Sequence, residues 1–279
     1  ASSFDSVRFR IALQRRGGLA ISMAKEAATI LGRHDQPVDP TLDLESNAEE
    51  HSARHNLVLG KWEGAVRAVA VGVVQRGDKL PPEVALATNS GTIFDLREEG
   101  GSDKNPGADA IDEVKCASPT TVTAPSGAHL HQHGATAPKL LESILGVKAR
   151  GDQGCGRFNP RTNKGHRRGV LGKYHDAHHV KRHLVTPVIV ETTGAIHHKA
   201  IRRLRVLWKR VRGMPKGDRT RYGRASQSAR SYIAHHSQQI SKAAVLGDAN
   251  EVIGAIRKLK RRANLCASSA PAVAGGARA

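Results

Sequence analysis

Three side chains in the middle of this 279-residue chain have the types and spacing that phosphate chemistry needs. Asp95 stands in the segment TIFDLR, and Glu113 and Lys115 stand two apart in AIDEVKCA. Both segments read as strands, short and bounded by turn residues. Residues i and i+2 of a strand share a face, so Glu113 and Lys115 point the same way, and Asp95 joins them if the two strands pair. Two carboxylates can hold a hard divalent cation such as Mg²⁺ through oxygen. An ammonium beside them can orient a water or help to deprotonate it, and the cation would stabilise charge building on a phosphate. The same residues also suit a plainer arrangement, two solvent-facing acids with a lysine as their ion-pair partner.

Positioning such a trio takes a sheet with helices against it. Residues 4–31 read as one or two short helices broken at Gly17-Gly18, and 32–53 as a polar, acidic loop. Leu57, Val58, Trp62, Ala65, Val66, Val69 and Val73 recur at three- and four-residue steps, predicting a helix over 54–75 with a stop at Gly77. Strands are predicted at 83–88, 92–97 and 110–117, followed by a short helix at 137–147 and a basic helical stretch over 166–183. A strand over 184–191 follows, where Pro187 suggests an edge position or an interrupted ladder. Helices are predicted over 195–212, 223–246 and 248–264, with a disordered tail from 265. The succession helix, strand, strand, strand, helix, strand predicts an α/β fold with a mixed sheet covered by helices.

Charge divides the chain. Residues 1–127 hold 14 Lys/Arg against 18 Asp/Glu, a net of −4, and residues 128–279 hold 30 against 7, a net of +23. That one-sided excess exceeds what solubility needs and suits a polyanion gripped through its phosphates. The candidate contacts are Arg167, Arg168, Lys181 and Arg182 before the last predicted strand, and Arg202, Arg203, Arg205, Lys209, Arg210 and Arg212 in the helix after it. Arg257, Lys258, Lys260, Arg261 and Arg262 follow near the end. Aromatics make up only 3% of residues, so backbone and shape recognition of structured RNA or duplex is expected rather than base stacking. His175, His178, His179 and His183 lie at helical spacing, and His129, His131 and His133 alternate; either set suits a transition metal, RNA or backbone bonding. No run of eighteen apolar residues points to a membrane partner. Three widely spaced cysteines argue against a disulfide framework and for a reducing compartment. The start at Ala1, without methionine, suits a processed mature form or a partial chain.

Several blocks, in order, resemble the region downstream of the polymerase in open reading frames of non-long-terminal-repeat retrotransposons that carry a restriction-like endonuclease. These are FRIALQRRGGLAI (9–21), ILGRHDQPVDP (30–40), SARHNLVLGKWEGAVRAV (52–69), GTIFDLR (91–97), AIDEVKCASP (110–119), GKYHDAHH (172–179), LVTPVIVETTGAIHHKAIRRL (184–204) and SARSYIAHHSQQISKAAVLGDAN (228–250). The resemblance implies a restriction-endonuclease-like mixed sheet with extra basic C-terminal helices. It also implies catalytic roles for Asp95, Glu113 and Lys115, with Lys173 and Tyr174 as accessory residues. The departures are as informative. Ala27, Ala28 and Leu44 stand near the family's zinc-knuckle ligands, and no cysteine precedes Cys116. Phe94 replaces the proline before the first motif aspartate, 98–109 resembles an insertion, and there is no polymerase. The chain therefore resembles a decayed or domesticated descendant. The implied division is 1–53 as a helical segment and degenerate knuckle region, 54–212 as the nuclease-like core, 213–264 as a basic helical extension and 265–279 as the tail.

The expectation drawn from charge, composition and these departures is a structural RNA-binding component, without cofactor, of a large ribonucleoprotein. A mitochondrial ribosome in the matrix is the concrete form, with structured RNA and neighbouring proteins as partners. The alternatives are a Mg²⁺-dependent endonuclease, with Asp95 and Glu113 as metal ligands and the nucleus as a possible location, and a basic accessory subunit of another organellar complex.

Overall fold

The computed structural model describes residues 6–16, 29, 48–80, 92–117, 120–123, 129–132, 137–151, 155–159, 162, 164–214, 229 and 231–268. Helix α1 is Ser6–Arg16 and α2 is Ala48–Arg67; strand β1 is Val74–Arg76, β2 is Leu96–Glu98 and β3 is Ala110–Ala117. A hairpin of β4 (Thr120–Thr123) and β5 (His129–Gln132) precedes α3, Ala137–Leu145. After it, β6 (Gly146–Val147) pairs with β7 (Val170–Leu171), and one π-helical turn covers Asp176–Val180. The chain continues with β8 (Leu184–Glu191), α4 (His198–Gly213) and α5 (Tyr232–Ser268).

The main sheet has the order β1-β2-β3-β8; β1, β2 and β3 run antiparallel in turn, and β3 pairs with β8 in parallel. It is a mixed four-stranded sheet with helices on both faces, the α/β class that the succession of elements predicts. Pro187 stands on the edge strand, as its missing N–H requires. One face carries the larger core: Val58, Trp62 and Val66 of α2 meet Leu96, Val114 and Val188, with Leu204 and Leu207 of α4 and Ile240 and Ala244 of α5 closing it. The other face packs Phe94, Ile111 and Val185 against Ile144 of α3 and against Tyr174 and Ala177. Burying a side chain the size of Leu or Ile is worth about 1.5–3 kcal/mol, so both layers contribute to holding the sheet rigid.

Several boundaries differ from the sequence expectation, each for a local reason. Helix α2 ends at Arg67 rather than near residue 75, because the chain turns to form β1. The Glu98 carboxylate accepts Val71 N–H at 3.0 Å, and a Cβ on Gly72 would lie 2.1 Å from Glu99 O, so the backbones touch there. The basic stretch at 166–183 is not a long helix: glycines at 165, 169 and 172 interrupt it, leaving β7 and the single π turn. The two C-terminal helices are one helix of 37 residues, which also takes in 265–268 of the expected tail. Gly247 does not break it but lets α2 approach, since a Cβ there would lie 2.6 Å from Arg54 Cγ. Hairpin β4–β5 arises in a segment read as loop; TTVT is β-branched and favours it. The strand expected at 83–88, the loop at 32–47 and residues 269–279 of the tail lie outside the described residues.

Candidate active site

Strand β3 sends alternate side chains to the two layers. Asp112, Val114 and Cys116 turn towards α2 and α4, while Ile111, Glu113 and Ala117 turn towards α3 and Tyr174. The adjacent acids Asp112 and Glu113 therefore have different fates. In the helix layer, Trp62 Nε1 donates to Asp112 Oδ2 at 2.9 Å and Arg203 Nε lies 3.7 Å from Oδ1. Burial pushes this carboxyl up, against the pull of Arg203 and Trp62.

Glu113 faces the cluster expected from the sequence. Its Oε1 lies 2.5 Å from Lys115 Nζ, and Tyr174 Oη donates to its Oε2 at 2.5 Å. Asp95 precedes β2, where the antiparallel register pairs Leu96 with Asp112, so one step further along places Asp95 beside Glu113. Its Oδ2 accepts the Val114 N–H at 2.7 Å, which fixes the carboxylate on the neighbouring strand. The structure thus brings together Asp95, Glu113 and Lys115.

Two further side chains complete the group. Tyr174 is fully buried, and its hydroxyl also lies 3.1 Å from Ile93 O. Its backbone is tied to the end of α3, because Tyr174 N–H donates to Ile144 O at 3.1 Å and Lys173 N–H to Ser143 O at 2.9 Å. Gly172 permits that docking: a Cβ there would sit 2.2 Å from Gly146 N and 2.4 Å from Ile144 O. Lys173 itself is exposed. His55, which the sequence reading did not single out, reaches from α2 to place Nε2 3.3 Å from Asp95 Oδ2. A signal was there, since His55 lies three and four residues before Val58 and Leu59, on the apolar stripe that must face the sheet.

The electrostatics of the group are those of two acids sharing a small space. Burial pushes the Glu113 carboxyl up and the Asp95 charge adds to that, while Lys115 and Tyr174 work against it. Burial alone would lower the Lys115 ammonium, but Glu113 and Asp95 outweigh it and hold it above its ordinary value. The hydrogen bond to Asp95 raises His55 despite burial. Burial, then the Glu113 charge, drives the Tyr174 phenol up, so it stays a donor.

Among the described residues, no group of three or more His, Cys, Asp and Glu side chains comes together to hold a metal ion. Magnesium needs fewer protein ligands, keeping several waters and taking one or two carboxylates plus substrate phosphate. Asp95 and Glu113 fit that demand. They are hard oxygen donors, a carboxylate has about four lone-pair sites so its oxygens are not exhausted by one bond each, and a cation would relieve their mutual repulsion.

The basic candidates do not form one surface. Arg202, Arg205, Lys209 and Arg212 are exposed and follow three- and four-residue steps, forming one stripe along α4. Arg203 and Arg210 turn inward instead, to Glu98: Arg203 Nη2 donates to Oε2 at 2.8 Å and Arg210 Nη1 to Oε1 at 2.6 Å. Arg203 is 3% exposed and is not part of that stripe. Arg167 pairs with Glu142. Arg168, Lys181, Arg182, Arg257, Lys260, Arg261 and Arg262 are exposed, and Lys258 is half-buried. The histidines part as well. His175, His178 and His179 cluster, with ring centroids 4.7 Å apart from His179 to each of the others, while His183 Nδ1 accepts the Asp109 N–H at 3.1 Å. His129 and His131 fall on β5 and His133 lies outside the described residues. No described helix is long and apolar enough to cross a membrane.

No family model, curated protein or solved structure matches this chain.

Proposed function

We propose that this protein is a metal-dependent endonuclease built on a restriction-endonuclease-like sheet, cutting phosphodiester bonds of nucleic acid. One observation carries the reading: Asp95, Glu113, Lys115, Tyr174 and His55, drawn from four separate elements or their borders, meet at one point of the sheet. The order β1-β2-β3-β8 and the resemblance to retrotransposon endonucleases support it.

Hydrolysis requires a water oxygen to attack phosphorus, a P–O bond to break and the departing oxygen to gain a proton. Magnesium held by Asp95 and Glu113 would supply charge on the phosphate oxygens and a more acidic water. Lys115, held protonated, serves as a fixed positive charge beside the developing phosphate charge rather than as a base. Tyr174 orients Glu113, and the Val114 amide and His55 orient Asp95. The stripe on α4 would add sequence-independent attraction for the polyanion.

Incubation of the purified protein with duplex, nicked and structured substrates in millimolar Mg²⁺ tests the proposal. Cleavage is expected, abolished by chelation and reduced about 10²–10³-fold or more by Glu113→Gln, the scale of losing one preorganised electrostatic group. Cleavage equal in Glu113→Gln and the unaltered protein would sink it.

One observation favours a second reading, a binding protein of a ribonucleoprotein that does not cut. Both Glu113 oxygens already have partners in Lys115 and Tyr174, so the carboxylate is held in place without a cation. Tight RNA binding with no cleavage of any substrate would select that reading.

A further inference from the structure

A cavity of about 250 Å³ lies beside β8, and its lining does not include Asp95, Glu113 or Lys115. It is smaller than the roughly 300–1,000 Å³ of pockets for drug-sized ligands, and so suits a small group. Four cationic residues line it: Lys104 from the loop between β2 and β3, and Lys199, Arg202 and Arg203 from the first turns of α4. Asp103 is the single acid among the described lining residues. Arg203 is already matched by Glu98, but among the described residues Lys104, Lys199 and Arg202 have no ion-pair partner. Their closeness is felt by Lys199, whose ammonium is pushed down first by burial and then by the charges of Arg202 and Lys104. Inside the wall, Arg203 Nη1 is buried with no hydrogen-bond partner. A protein that gathers like charges around a partly enclosed space loses stability unless an anion joins them.

We propose that this cavity binds a phosphate oxyanion. Its ligand is a terminal phosphate of a polynucleotide or a free small phosphate, since both present the same tetrahedral, largely dianionic head at neutral pH. The site is separate from the carboxylate group and stands whether or not that group cuts nucleic acid.

Thermal unfolding of the full chain in chloride, inorganic phosphate and sulfate at matched ionic strength tests the site. Parallel samples contain a short oligonucleotide with or without a 5′-phosphate. The expected result is a saturable rise in melting temperature with a phosphate-bearing probe, since a ligand that binds only the folded state raises stability as RT ln(1 + [L]/Kd). Lys199→Gln with Arg202→Gln should abolish the rise, with a melting temperature in chloride at or above that of the unaltered protein because the repulsion among the cations is relieved. A rise with the 5′-phosphorylated oligonucleotide alone assigns the phosphate to a polynucleotide end, and a rise with inorganic phosphate assigns it to a free ion. No saturable rise with any phosphate probe, or a rise that persists in the double variant, overturns the proposal.

Discussion

Tyr174 and Glu113 share a short hydrogen bond in the carboxylate group, and that bond has a sign that can be measured. A hydrogen bond to the charged form of a carboxylate favours that form, so the phenol holds the Glu113 carboxyl lower than burial alone would. Tyr174→Phe removes that donor and keeps the buried ring. The acid limb of the cleavage profile, where Glu113 must be ionised, should move to higher pH in the variant, with activity well above it less affected. A profile unchanged in position would show that Glu113 ionisation does not limit the reaction. The sequence identified Asp95, Glu113 and Lys115 because strand periodicity assigns faces and the two strands pair as expected. The alternation of β3 sends the adjacent Asp112 to the helix layer and Glu113 to the group. His55 was less legible, since a histidine on a buried helix face is more often a satisfied core residue than part of a site.

Among the elements, the contact between α2 and α5 is the most demanding. Arg54 is 6% exposed, donates to Glu251 Oε2 at 2.5 Å and lies 3.6 Å from Asp248 Oδ1. Gly247 makes room for it. Gly247→Ala gains about 1 kcal/mol of helix propensity but forces a Cβ to within 3.1 Å of Arg54 Cα. Overpacking of this kind costs about 1–3 kcal/mol, so a net loss of about 1 kcal/mol is expected in urea unfolding. A gain in stability would mean the helices can separate freely. The same glycine explains why one long helix was read as two: on sequence alone a mid-pattern glycine looks like a stop, and only the partner helix reveals its use. Strands β3 and β8 were legible to the residue because their apolar runs have clear ends. The short β1 was not, since three residues carry too little pattern to separate a strand from the last turn of a helix.

At the level of the molecule, the charge asymmetry survives in the structure in altered form. Arg203 and Arg210 spend their charge on Glu98, and the cationic face of α4 narrows to Arg202, Arg205, Lys209 and Arg212. Binding to nucleic acid should weaken steeply with salt, by about a thousandfold between 50 and 200 mM if six phosphates are met. Changing Arg205, Lys209 and Arg212 together to Gln should reduce the slope of log affinity against log salt by about three. Arg210→Gln, by contrast, should leave the slope alone and lower stability, because it strips a buried carboxylate of one of its two arginines. An equal slope in the triple variant would move the binding surface elsewhere.

The parallel pairing of β3 with β8 has a bearing on biosynthesis. Both acids and the lysine are translated early, but Tyr174 lies 61 residues beyond Glu113 and the neighbouring strand begins at Leu184. A nascent polypeptide shorter than that carries both carboxyls without their enclosing tyrosine or flanking strand. Hydrogen exchange at the amides of β8, followed on stalled chains of increasing length, would therefore mark the moment when the pocket matures.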